Sequence, residues 1–197
     1  MELKLLCPFD SQYPEFDTEQ VGKLRDQREF PNDREWAVYQ AKIFYEVFGD
    51  VQKAVEILKE ALQKNQQDAD ILACLGECYS RIMGSEELAL DYCSKALAIN
   101  NQLDYAYTIM ARVQTRIGRP IDAYKSAMAA LKINSLNFEA GVYLGAIGCA
   151  IALAENDEKE MELSIKNLRK TQRLNPSSQR LVKIIQENEE KLNQMKK

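Results

Sequence analysis

The sequence predicts an all-α array of stacked helix pairs, and three observations carry that prediction. Gly84, Ala89, Ala96, Leu97, Ile99 and Asn100 recur 34 residues later as Gly118, Ala123, Ala130, Leu131, Ile133 and Asn134, a self-similarity whose period suits one two-helix unit. Apolar side chains between the glycines follow helical rather than alternating spacing, as in Trp36, Tyr39, Ile43 and Val47. Small residues recur at fixed places inside each unit, where two helices approach closely only if alanine or glycine leaves room.

The chain in order supports this. Residues 1 to 32 carry Pro8, Pro14 and Pro31 with Phe9, Tyr13, Phe16 and Phe30 between them and have no sustained period. They are expected to form an extension that packs on the array, with a short helix over Thr18 to Glu29. Asn32 followed by Glu35 has the spacing of a capping box and opens a helix that Gly49-Asp50 ends. A second helix is predicted from Val51 to about Lys64. Gly49, Ala54, Ala61, Leu62 and Asn65 stand 35 residues before their counterparts, so the first unit is one residue out of step, with the extra residue near Met83.

The unit that follows resembles the tetratricopeptide repeat. Leu72, Leu75-Gly76 and Tyr79 reproduce its W-x2-L-G-x2-Y spacing with leucine in place of tryptophan, and Ala89, Cys93 and Ala96 stand where the pattern has alanine, an aromatic and alanine. The next unit matches through Tyr107, Met110-Ala111, Gly118, Ala123, Ala127 and Ala130. The fourth departs: Leu144-Gly145 match, Gly148 replaces the aromatic, and Asn175-Pro176 arrive seven residues late, which predicts that about Ile151 to Asp157 lengthen its first helix. After Ser177-Ser178, the stripe Leu181, Ile184, Ile185, Leu192 and Met195 predicts a solvating cap helix.

The resemblance implies a right-handed superhelical solenoid of about four helix-turn-helix repeats over 33–68, 69–102, 103–136 and 137–176, preceded by the extension 1–32 and closed by the cap 177–197. It also implies a non-catalytic adaptor or scaffold subunit of a multi-protein complex, in which the first helix of each pair lines a concave groove. Trp36, Tyr39, Ile43, Arg81, Tyr105, Arg112, Arg116 and Val142 fall on that lining. Tyrosine, tryptophan and arginine dominate binding hot spots. Arg81, Arg112 and Arg116 suit bidentate pairing with carboxylates, with Glu77 placed to neutralise one of them, while Trp36 and Tyr39 form an aromatic shelf. The expected partner is a protein segment with acidic and apolar side chains. Chaperone-binding members of the family hold a chain-end carboxylate with lysine, asparagine and arginine; the aligned residues here are Tyr39, Ile43, Cys74, Tyr105 and Ile109, and none matches. A chaperone for an aggregation-prone client, or a structural subunit using its convex face and extension, are the other readings.

Composition narrows the chemistry. There is no histidine, so the usual general base and commonest zinc ligand are missing. The glycines form no phosphate loop and no catalytic triad is discernible, so no enzyme and no cofactor are expected. A net charge of −4 argues against nucleic acid as a partner. Cys74, Cys78 and Cys93 are expected in the core rather than on a metal. Fifteen uncharged residues from Ala140 to Ala154 fall short of a membrane span and are expected to be buried in the array. The opening MELKLL is too short, with Pro8 close behind, for a secretory core. With five cysteines lacking framework spacing, a cytoplasmic location is expected.

Overall fold

The computed structural model describes residues 32–196, and among these the regular structure is entirely helical. The helices are α1 (Asp33–Glu46), α2 (Val51–Lys64), α3 (Ala69–Ser80), α4 (Glu86–Ile99), α5 (Asp104–Arg116), α6 (Pro120–Ile133), α7 (Phe138–Glu155), α8 (Glu158–Gln172) and α9 (Gln179–Met195). The expected extension and its short helix lie outside the described residues. Contacts divide the chain into two compact units, Met1–Ile109 and Met110–Lys197.

Side-chain oxygens at the helix starts explain most of the boundaries. Asn32, Asp50, Asp68, Asn137, Asp157 and Ser178 each accept a hydrogen bond from a backbone N–H in the first turn that follows, satisfying donors a helix start leaves orphaned. The capping-box pair departs slightly from the usual form: Glu35 accepts from the Asn32 side-chain amide at 3.1 Å. Where the second helix of a unit ends, Asn100 and Asn134 turn the chain by accepting from Gln102 and Leu136 N–H groups. This is why an asparagine repeats at that place.

Gly49, Gly84 and Gly118 adopt left-handed φ of 68°, 78° and 73° in the turns within the first three pairs, a conformation in which an L side chain costs roughly 1–2 kcal/mol. The extra residue of the second unit lies in the α3–α4 turn, where Met83 is 95% exposed. In the fourth pair, α7 runs through Glu155, Asn156 makes the left-handed turn at φ 54°, and Asp157 caps α8. Five of the seven late residues therefore lengthen the helix, and the last two form its turn.

Within the first unit α1 packs on α2, α2 on α3 and α3 on α4, and α1 also touches α3. Its core gathers Ala41, Tyr45, Ala54, Val55, Leu58, Ile71, Cys74, Leu75 and Cys78. Within the second unit α6 packs on α7, α7 on α8 and α8 on α9, with α9 reaching back to α7. Its core is Val142, Cys149, Ala152, Met161, Ile165, Leu168, Leu181 and Ile185. Fully buried leucines such as Leu58 and Leu168 each contribute about 1.5–3 kcal/mol by leaving water.

Part of the apolar run on α7 is packed against its neighbours, with 44% of the helix buried. By length and composition (mean hydropathy 1.4) α7 is long and apolar enough to cross a membrane. Its glycines, however, form the seat of α8: a Cβ on Gly141 would meet Thr171 at 2.4 Å, one on Gly145 would meet Leu168 at 2.5 Å, and one on Gly148 would meet Ser164 at 2.3 Å.

Candidate functional site

In the first unit, the face built by α1 and α3 carries most of the residues the sequence points to. Trp36 and Tyr39 lie one turn apart on α1 and their rings stack, with centroids 5.9 Å apart and planes at 26°. Both are half-buried, so the pair presents ring surface and still has a packed base. Ile43, the next residue of that stripe, is buried at 2% exposure.

Arg81, at the C-terminal cap of α3, closes a charged cluster. Its Nε and Nη2 reach Glu77 Oε1 at 2.9 and 2.8 Å, and its guanidinium sits 4.7 Å above the Tyr45 ring. Glu77 is fully buried, and a buried carboxylate demands such a partner because desolvation otherwise costs several kcal/mol. Lys42 and Glu46 face each other at 3.8 Å beside it. Burial holds the Glu46 carboxyl above the ordinary carboxylate value, against the opposing pull of Lys42 and Arg81. Burial, reinforced by Glu77 and Glu46, pushes the Tyr45 phenol upward far enough to keep it neutral.

A second polar line joins the first turns of three helices. Arg34 Nη1 donates to Asp70 Oδ2 at 3.2 Å, and the Tyr105 hydroxyl donates to Asp70 Oδ1 at 2.9 Å. Tyr105 is 7% exposed, so its ring belongs to the packing and its hydroxyl to this network. The partners are 36 and 35 residues apart. Residues about one repeat apart lie side by side when units stack, and that rule is the signal by which Arg34 and Asp70 could have been found from sequence. Glu162 and Lys196, 34 apart in the second unit, pair in the same way.

In the second unit, Arg112 is half-buried on α5 and Arg116 is exposed in its last turn. Val142, buried at 7%, lines a small pocket with Phe138, Glu139, Tyr143, Ser178, Arg180 and Leu181. Burial raises the Tyr143 phenol above its ordinary value, while Arg112, Arg180 and a hydrogen bond with the Arg180 side chain pull the other way. Sequence reasoning missed Tyr143 and Arg180. Arg180 sits in the first turn of the helix assigned to capping, and no repeat position corresponds to it.

The cysteines among the described residues are deep in the structure. Cys74, Cys78, Cys93 and Cys149 are free and buried. Burial pushes the Cys78 thiol to about 12 and the Cys149 thiol to about 11, so both stay protonated near neutrality and lack the thiolate that nucleophilic or metal chemistry requires.

No family model matches the chain, and no curated protein matches it. Solved structures do. A thermophilic TPR protein of Thermus thermophilus, TTC0263, superposes with a TM-score of 0.64 at 19% identity, covering 82% of this chain and 84% of that one. A tetratricopeptide repeat protein from Parabacteroides merdae gives 0.61 at 20% identity over 83% of this chain and 60% of that one. PilF of Pseudomonas aeruginosa gives 0.66 at 18% identity over 83% of this chain and 73% of that one.

Proposed function

We propose that this chain, whose fold is that of the tetratricopeptide-repeat proteins, is a non-catalytic adaptor or scaffold subunit of a multi-protein assembly in the cytoplasm. It binds a partner segment with acidic and apolar side chains through the first-helix faces of its units. Trp36, Tyr39 and Arg81 serve the first unit and Arg112 and Arg116 the second, whereas Ile43, Tyr105 and Val142, expected on the same lining, are buried and belong to the packing of those faces. The observation that carries the reading is the stacked pair of Trp36 on Tyr39 on a face built by α1 and α3. Aromatic surface that is half-buried and rigid loses little side-chain entropy when a partner covers it. The partner is neither nucleic acid nor a lipid bilayer core.

Capture of partners from the native cell tests this. Arg112→Glu combined with Arg116→Glu, and separately Trp36→Ala, should each reduce recovery of the same stoichiometric partner while thermal unfolding stays near that of the wild type. Recovery unchanged in both variants would overturn it. A second reading has one observation in its favour: Ile121 and Met128 lie two turns apart on α6 and are 53% and 49% exposed. Under that reading the chain is a structural subunit held through its second helices, and Ile121→Asp rather than Trp36→Ala would release the partner.

A further inference from the structure

Among the described residues α1 opens the array: α2 and α3 pack on it, and no described helix precedes it. A stacked array needs its ends covered, and α9 does this for the second unit by packing on α8 and α7. On α1 the stacked rings of Trp36 and Tyr39 are only half-buried by what has been described. Trp36, Tyr39, Lys42 and Tyr45, at every third residue of α1, each also interact with a group of the chain beyond the pairs given above. The chain therefore engages this face itself.

The cap of α1 sets the direction from which the leading residues arrive. Asn32 is the N-cap, with extended backbone, and its side chain accepts from the Glu35 N–H at 2.9 Å. That makes Trp36 the fourth residue of the helix, the one against which an apolar residue just before the cap packs to fix the entry angle of the chain. Pro31 holds that place, with Phe30 before it. Extended chain covers about 3.3 Å per residue and a helix about 1.5 Å, so the stretch from Phe16 to Asn32 is long enough to run the length of α1 and onto α3.

The leading residues also have the right chemistry. Phe9, Tyr13, Phe16 and Phe30 supply ring surface, and between Lys4 and Lys23 stand Asp10, Glu15, Asp17 and Glu19 with no basic residue. Acidic and apolar side chains are what the proposed function assigns to the partner segment. The chain carries such a segment tethered beside the aromatic pair, where its effective concentration exceeds that of a separate molecule.

We infer that residues 8–31 dock on the α1–α3 face over Trp36 and Tyr39, so that this chain supplies the first occupant of the surface and a partner segment binds by displacing it. The displacement rests on the proposed function; the docking rests on the cap of α1 and the aromatic pair.

Trp36 is the only tryptophan, so its fluorescence in the full chain reads this face alone. Tyr13→Ser combined with Phe16→Ser should move its emission to longer wavelength and make it easier to quench with acrylamide, while the helical signal stays that of the wild type. A synthetic peptide of residues 8–19 added to this variant should reverse the shift. Recovery of the stoichiometric partner should rise a few-fold, because an occupant lowers apparent affinity by the fraction of faces it leaves open. Unchanged emission and quenching in the double variant overturn the inference, as does a shift produced by Phe30→Ser alone, which confines the contact to the capping turn. Wild-type emission that varies with protein concentration assigns the cover to a second copy and overturns it as well. Unchanged emission with partner recovery that Trp36→Ala abolishes removes the docking and leaves the proposed function standing; a shifted emission with recovery that neither variant alters does the reverse.

Discussion

The α3/α4 pair of the first unit and the α7/α8 pair of the second solve one packing problem in two ways. In α3/α4 a single glycine makes the close approach: a Cβ on Gly76 would meet Cys93 Sγ at 2.6 Å and the Ala89 carbonyl oxygen at 3.2 Å. One turn further along, Tyr79 stacks on Tyr92 with centroids 5.3 Å apart and planes at 3°, so large rings complete the seam. In α7/α8 the position of Tyr79 is taken by Gly148, and three glycines in succession admit Thr171, Leu168 and Ser164 of α8. The seam that lost its aromatic closed up instead, and the bulk moved to the partner helix. A degenerate motif here marks a different packing solution.

The largest expected break is on the α3/α4 side. Ala89 is completely buried, and Ala89→Glu places a charge where nothing can pair with it. It should cost about 3–5 kcal/mol of a total margin near 5–15 and be read as lost helical signal or a strongly lowered melting temperature. The intact fold of that variant would sink the helix pairing described.

The next test compares the two seams directly. Gly145→Val presses on Leu168 and on the Ser164 carbonyl oxygen, 3.2 Å from a Cβ, and should cost about 2–3 kcal/mol or more by overpacking. Gly76→Ala presses first on the tip of Cys93 and recovers about 1 kcal/mol of helix propensity, so its net cost should be near 1 kcal/mol. Urea melts that rank the two variants the other way would show that α3/α4 is the tighter seam.

The effect smallest near neutral pH is a pH dependence. Cys78 in α3 rises from 9.0 to about 12 and Cys149 in α7 from 9.0 to about 11. Each is held protonated in the folded state, so the stability it contributes is fully present below pH 9 and lost as pH climbs through the folded value. At about 1.4 kcal/mol per unit, alkaline titration should weaken the fold above pH 9, and thiolate absorbance should appear at Cys149 before Cys78. Thiolate at both near pH 9 in the folded protein would contradict their burial.

Particular residues show how far the sequence could be read. The positions of α1 to α6 follow from Asn32, Gly49, Asp50, Asp68, Gly84, Gly118 and the recurring asparagines, because capping and left-handed turns are local chemistry set by a few neighbours. Trp36, Tyr39 and Arg81 could be assigned to first helices for the same reason. That Arg81 is engaged by Glu77 and Tyr45 could be guessed only from the four-residue spacing to Glu77; Tyr45 comes from another helix. Tyr143, Arg180 and the pocket they line were not legible at all, since α7 and α9 touch in space but are separated in sequence by the whole of α8.

The sequence by itself determined the helical pairs, their caps and turns, and which small residues had to be buried, because a 34-residue period writes each local choice twice. The tertiary structure decided which side chains meet: Asp70 with Arg34 and Tyr105, Arg81 with Tyr45, and Tyr143 with Arg180 around one pocket. Contacts between separate helices depend on crossing geometry and on which bulk fills each seam, and a periodic sequence repeats its own pattern without stating what lies across from it.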